Sequence, residues 1–416
     1  MQGFYTEPEK KVPVFGTYDV IVCGGGVAGF SAALASARNG AKTLIIEQYP
    51  FFGGTATASL MINLVGFRNQ VPPDDKQVTR GIGEELMLRL IARGGARHSL
   101  NAYPSPFRSD TKGDLSYNYV VDSEMFKHEM LMMLKDAGVS ILFHTYVADT
   151  IVEDGRVKGV LIENKSGRQA VFASVTVDAT GDADVAYRAG AGFWQTCREE
   201  NPRLTDCLMY RIGGFKEGTK AHGCLYGDTM VVWGPSPGAV NCADGKELSD
   251  SEVDVRSRIY EDLKEKIAEN PDLEGARIVE TPVQLGIRQT RFIVGEYQLT
   301  GEDVLEGRHF EDGIALAINP IIHYYGYRCF LKHDGYQIPY RCLIPKGVGG
   351  LIVAGRPISA DQRAFESLRA MAHIFPIGEA AGTAAAQCAA AKVEPRDADV
   401  KKLREQLLLQ GAELGI

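Results

Sequence analysis

A glycine cluster near the start of the chain constrains its fold more than any other feature. Residues 18–23, Y-D-V-I-V-C, form a short β-rich apolar run, which reads as a buried parallel strand. G-G-G-V-A-G follows at once at 24–29. Residues 30–39 are rich in Ala and Ser and stop at Gly40, which reads as a helix with a C′ glycine. Residues 43–46 read as a second strand, closed by Glu47, which lies 23 residues beyond Gly24. The pattern is G-x-G-x-x-G inside a strand–helix–strand unit with an acid at its end. Gly24 makes the tight turn, Gly26 admits a pyrophosphate against bare backbone, and Gly29 lets helix and strand pack closely. The helix N-terminus at Val27 and Ala28 offers N–H groups to the phosphates. Glu47 can accept hydrogen bonds from a ribose diol. The unit therefore predicts a dinucleotide site but does not choose between NAD and FAD.

The next segments make that choice through a resemblance. Residues 48–57, Q-Y-P-F-F-G-G-T-A-T, place Gly53 and Gly54 just past the acid, flanked by Gln48 and Thr55. This resembles flavoproteins of the glutathione-reductase type, in which such a segment runs along the pyrophosphate and ribityl chain. A strand at 171–177 ends in D-A-T-G-D-A-D at 178–184. It resembles the A-T-G segment that returns to the adenosine half of FAD, and so nominates Ala179, Thr180, Gly181 and Asp182. Asp182 has an alternative use as a helix N-cap. A further strand at 350–353 runs into Gly355 and Arg356. A small-faced helix is expected to start at Pro376 and to carry Gly378, Glu379, Gly382 and Thr383. Its N-terminus would bring partial positive charge to the flavin pyrimidine edge. A plain Ala-rich packed helix is the alternative.

Together these motifs resemble the bacterial FAD-dependent oxidoreductase family, related to fumarate-reductase and glutathione-reductase-like flavoproteins. G-I-R-Q-T-R at 286–291 and I-P-Y-R-C-L-I-P-K at 338–346 agree with it. The resemblance runs from about residue 17 to about residue 390. It implies an α/β fold: a Rossmann-like, glutathione-reductase-like FAD-binding domain with an inserted α+β substrate domain. The expected boundaries are 1–192 plus 337–416 for the FAD domain and 193–336 for the insert. The sequence departs from the family pattern at Pro357 and Gln362, where Cys and His are common, and at Gln289, where a Glu is usual. His373 lies beside Ile374, near which the pattern carries a further Cys.

Composition narrows the remaining choices. Glycine is enriched, at 46 of 416 residues, without the periodicity of collagen. The net charge of −8 argues against a nucleic-acid partner, which usually needs a basic face. No run reaches the roughly 18 uncharged apolar residues of a membrane span. The eight cysteines show no C-x-x-C spacing, which argues against a metal centre and for a reduced, cytoplasmic chain. Only one complete G-x-G-x-x-G is present, so no separate NAD(P)H domain is visible.

The insert supplies the expected chemistry. His323 and Tyr325 are the expected proton donors or acceptors, with His373 as a third choice. Arg288 and Arg291 are the expected anchors, because guanidinium suits a carboxylate. Either arginine has an alternative role as a structural ion pair. The expected function is hydride transfer between flavin N5 and a small polar substrate, such as a carboxylate or polyol. An NAD-linked dehydrogenase and a non-catalytic flavin subunit of a redox complex are the alternatives. Electron donor or acceptor, reaction direction and homo-oligomer formation are left open.

Overall fold

The computed structural model describes residues 3–68, 76–96, 119–195, 204–219, 221, 223–238, 240–322, 328–331 and 333–415. Its centre is a parallel sheet. Strand β1 (Val14–Cys23) lies between β2 (Thr43–Ile46) and the Gly167–Asp178 strand, with Cys23 opposite both Ile46 and Asp178. Ser140–Leu142 extends the sheet beyond β2, and Leu351–Val353 pairs with the Asp178 end on the other side. The hairpin Tyr146–Glu153 and Arg156–Asn164 adds antiparallel strands to the first half of the Gly167–Asp178 strand. Val20, Ile21, Val22 and Cys23 are fully buried, as expected for a parallel strand covered on both faces.

The shared direction of these strands sets the site. Gly24, Glu47, Ala179 and Ala354 directly follow the four strands ending at Cys23, Ile46, Asp178 and Val353. All four therefore emerge at one edge of the sheet. Open α/β sheets bind their ligands in the crevice outside these carboxyl ends.

Helix α1 (Val27–Arg38) packs against the long Met371–Ala391 helix, and both cover the sheet. The crossing is tight because two glycines make it. A Cβ at Gly378 would lie 2.3 Å from the Ala28 carbonyl oxygen, and one at Gly382 would lie 2.0 Å from that of Ala32. This helix starts five residues earlier than its sequence suggests, so Pro376 lies inside it. Proline cannot donate to the carbonyl four residues back, here that of Ala372. The Thr79 hydroxyl takes that carbonyl instead, at 3.1 Å.

A second unit lies within the expected insert. Four antiparallel strands run in the order Gly223–Tyr226, Thr229–Trp233, Met209–Gly213 and Arg277–Glu280. The Gly245–Glu269 helix covers them, capped by Asp244, whose carboxylate accepts from the Lys246 and Glu247 N–H groups. Its buried stripe is Val255, Ile259 and Leu263, spaced by one helical turn, and it meets Tyr210, Ile212 and Val232. The Gly313–Ala317 strand, also inside the expected insert, pairs with Tyr336–Pro339 across the expected boundary. It packs on the Met371–Ala391 helix and so belongs to the core of the first unit.

Candidate functional site

One cavity of about 1050 Å³ runs from the carboxyl edge of the parallel sheet to the second unit. Its floor is bare backbone from two interlocked glycine turns. Gly24 takes a positive φ of 102°, and a Cβ there would meet the Ala179 carbonyl oxygen at 2.3 Å. The Gly53 N–H donates to the Gly25 carbonyl at 2.9 Å, and Gly54 sits against Gly26. Gly26 differs from its neighbours. Its φ is an ordinary −67°, and a Cβ there would meet only the Gly54 Cα, at 3.7 Å. Gly26 is also the N-cap of α1, which has no side-chain cap and no acid in its first turn. The first N–H groups of a helix have no partner within it, so Val27 and Ala28, which line the cavity, present open donors.

Glu47 stands beside this floor. Its Oε2 accepts from the Gly25 N–H at 2.5 Å and its Oε1 from the Tyr49 N–H at 2.9 Å. Burial pushes its pKa up, and those N–H groups oppose the shift. A carboxylate has about four lone-pair sites, so capacity for a ribose diol remains. Gln48 and Thr55 line the same wall.

The A-T-G turn is fixed from below. Buried Asp178 accepts from the Thr180 hydroxyl at 2.7 Å, the Thr180 N–H at 3.1 Å and the Ala186 N–H at 2.9 Å. Burial moves its pKa up to about 6. Ala179, Thr180, Gly181 and Asp182 all line the cavity. Asp182 does not cap the following helix, whose N-cap is Ala183. Its Oδ1 instead accepts from the Thr290 hydroxyl at 2.7 Å and from Arg356 Nη2 at 2.5 Å. Arg356 also donates to the Gly181 carbonyl at 2.9 Å and to the Ile287 carbonyl. It thus straps the A-T-G turn to the segment carrying Arg288.

These features fit FAD: an uncapped helix terminus on bare backbone, an acid past the second strand, and one cavity reaching a second unit. Of the residues nominated for it, Gly24, Gly26, Val27, Ala28, Glu47, Gln48, Gly53, Gly54, Thr55, Ala179, Thr180, Gly181, Asp182 and Arg356 line the cavity.

Others lie elsewhere, each for a physical reason. Gly29 is a packing glycine, where a Cβ would meet the Gly24 carbonyl oxygen at 1.8 Å. Gly378 and Gly382 make the helix crossing described above, and the Thr383 hydroxyl donates to the Glu379 carbonyl at 2.8 Å. Glu379 caps another helix: its Oε2 accepts from the N–H of Ile82, the first residue of Ile82–Ala92, at 3.0 Å. Burial pushes its pKa up to about 7.

The expected catalytic residues divide similarly. Arg291 is a structural ion pair, bonded to Asp184 Oδ1 at 2.9 Å and to the Asp182 carbonyl at 3.0 Å, and stacked over Tyr187. His373 is fully buried and its Nε2 accepts from the Ile318 N–H at 3.1 Å. Burial drives its pKa down to about 4, so it is a neutral core residue. His323 and Tyr325 lie outside the described residues. Arg288 lines the cavity.

The structure adds residues that sequence reasoning missed. Arg369 lines the cavity beside Ala370 and Met371, with Asn319 on the same wall. Ala370 is the N-cap of the Met371–Ala391 helix, which has neither a side-chain cap nor an acid in its first turn. A second uncapped helix terminus therefore opens on the cavity. The expected helix start at Pro376 hid this, because it placed the helix terminus seven residues beyond Arg369. Ser59, Met61, Cys207, Met209 and Trp233 complete a mixed, largely apolar wall.

Comparison with known proteins agrees with this geometry. The family model described as FAD dependent oxidoreductase matches residues 19–230 and 198–407. The digeranylgeranylglycerophospholipid reductase of Methanospirillum hungatei JF-1 is 28% identical over 198 residues, which are 47% of this chain and 46% of the relative. The tRNA uridine 5-carboxymethylaminomethyl modification enzyme MnmG of Alkaliphilus metalliredigens is 31% identical over 228 residues, 50% of this chain and 32% of that enzyme. The matches thus span about half or less of the length of these curated relatives. A geranylgeranyl bacteriochlorophyll reductase-like structure from Thermoplasma acidophilum superposes with a TM-score of 0.50 at 15% identity, covering 96% of this chain and 84% of that one. That likeness shows the fold alone.

Proposed function

The chain belongs to the FAD dependent oxidoreductase family, and on that premise we propose that it transfers a hydride between flavin N5 and a small organic molecule held at the Arg288 end of the cavity. Family membership sets the NAD-linked alternative aside. The observation that carries the reading is the continuity of one cavity from the glycine turns to Arg288, Asn319 and Met371. FAD, when bound, supplies the two-electron hydride donor or acceptor.

The protein does the rest. Gly24, Gly26 and the N–H groups opening α1 would hold the pyrophosphate. Glu47 would take the adenosine ribose. Gly53, Gly54 and Thr55 would border the ribityl chain, and Arg356 keeps the A-T-G turn in place. The uncapped helix terminus at Ala370 and Met371 sets positive potential at that end of the cavity. Arg288 orients the substrate through a polar group, a carboxylate or polyol in this reading. His323 and Tyr325, which follow the cavity residue Ile322 in sequence, are the proposed proton carriers.

A second reading is favoured by the apolar wall of Met61, Met209, Trp233 and Met371. It is reduction of a carbon–carbon double bond in an apolar chain, the type of substrate named for the archaeal relative. One experiment separates the two. Purified protein is mixed anaerobically with hydroxy acids, polyols and amines, and the flavin band is followed. The dithionite-reduced protein is then offered unsaturated acids and isoprenoids. Bleaching by the first set supports the polar reading, and reoxidation by the second supports the apolar one. A preparation without a flavin spectrum after incubation with FAD sinks both.

A further inference from the structure

Two arginines on the cavity wall are left over once the cofactor frame has been assembled. Arg356 makes three hydrogen bonds and Arg291 is closed into an ion pair, so both are accounted for by the fold. Arg288 and Arg369 are not. Among the described residues, neither guanidinium makes a hydrogen bond or an ion pair. The Nε of Arg369 is sealed from solvent and has no acceptor. Asp206, which meets the Arg288 backbone, is already in use: it accepts the Arg288 backbone N–H at 2.7 Å and the Cys242 thiol at 3.2 Å. Glu366 lies close enough for its field to favour the charged form of Arg369, and its Oε1 accepts from Gln362 at 3.2 Å.

The two cations also repel one another. Burial holds the pKa of Arg369 down to about 9, and the nearby Arg288 charge adds to the fall. Leaving buried donors unmade is costly, and placing like charges together adds to the cost. An anion between them would relieve both. It would also meet the positive end of the helix that begins one residue beyond Ala370. The pyrophosphate does not need this pair, since its donors lie on the Gly24–Gly29 turn and come from a different part of the chain. Besides Asn319, the wall here carries the apolar side chains of Met209, Trp233 and Met371.

We propose that Arg288 and Arg369 form an anion clamp that selects a substrate carrying a carboxylate or phosphate group on an apolar body. The inference rests on the reading of the cavity as a chamber shared by flavin and substrate. Guanidinium rather than ammonium suits the task, because its planar fork meets two oxygens of one anion at once. Arg369 follows the Gln362–Leu368 helix and Arg288 comes from the second unit's return segment, so the clamp closes only when both units are in place.

The test uses the FAD-loaded protein and matched acid and neutral probes. Binding is read from the perturbation of the flavin absorption spectrum. Benzoate is compared with benzamide, acetate with acetamide, and phenyl phosphate with phenol. Benzoate or phenyl phosphate is expected to bind more tightly than its neutral partner, and the comparison between those two tells carboxylate from phosphate. Acetate is expected to bind more weakly than benzoate, because it lacks the apolar body. Arg288→Gln and Arg369→Gln are each expected to weaken the anion about 10- to 100-fold and to leave the neutral probe and the flavin content unchanged. Equal binding of acids and neutral partners to the wild-type holoprotein overturns the clamp, whether or not the variants fold. Loss of flavin from either variant also overturns it, because the arginine then serves the cofactor. A wild-type protein that holds no FAD overturns the chamber reading itself, before any probe is added.

Discussion

At the scale of single residues, the glycines of one motif do different work. Gly24 and Gly29 are required by the fold, because a Cβ at either would drive into backbone at 2.3 and 1.8 Å. Gly26 is free of that constraint and faces the cavity. Gly26→Val is therefore expected to fold with a melting temperature close to that of the cofactor-free wild type, yet to lose FAD. Gly29→Ala is expected to destabilise the protein by about 1–3 kcal/mol or more through overpacking. Thermal melts with and without FAD check the pair, and FAD retention by a folded Gly26→Val protein would refute the phosphate cradle. The motif can be read from sequence as a unit, but the division of labour within it cannot. It depends on which hydrogen of each glycine faces backbone and which faces empty space.

At the scale of elements, the Met371–Ala391 helix shows how a correct motif can be given the wrong job. Its small residues read as a face for close approach to a flat ring or to another helix. Gly378 and Gly382 make the crossing with α1, and the end that reaches the cavity lies five residues before Pro376. Proline at 376 read as a helix start because proline is favoured there. The Thr79 hydroxyl, almost three hundred residues away in sequence, satisfies the carbonyl that Pro376 leaves open. Glu379 joins this helix to the start of Ile82–Ala92, and burial lifts its pKa to about 7. The folded state then binds more protons than the unfolded chain between the ordinary glutamate range and pH 7. The contribution of Glu379 is thus fully present at low pH and declines as pH rises through that window. Glu379→Gln should lose about 2–3 kcal/mol less than the wild type between pH 5 and pH 8. Urea melts at the two pH values measure this, and an equal loss in both proteins rejects it.

At the scale of the whole molecule, the cavity is walled by two units that share no sheet among the described residues. The first contributes the carboxyl ends of parallel strands, and the second contributes Trp233, Met209 and the segment leading to Arg288. A ligand that spans the cavity should therefore stabilise both. At free FAD about 100 times its dissociation constant, the folded state gains about 2.7 kcal/mol. That corresponds to a rise in melting temperature of a few degrees for a chain of this length. Calorimetry with FAD, and with ADP as the adenosine half alone, gives the check. A shift no larger with FAD than with ADP would mean that the ligand does not reach the second unit.

The chain by itself determined the frame of the cavity floor. Gly24, Gly26, Glu47, Gly53, Gly54 and Gly181 all line the cavity, and they are legible because tight turns and bare backbone demand particular residue types at short spacing, and short spacing survives in one dimension. Only the tertiary structure decided which cations are free. Arg291 and Arg288 lie three residues apart in one segment and look alike in sequence. One is closed into an ion pair with Asp184, and the other opens on the cavity beside Arg369. Charge is a property of a residue, but its neutralisation depends on neighbours that are distant in sequence and close in space.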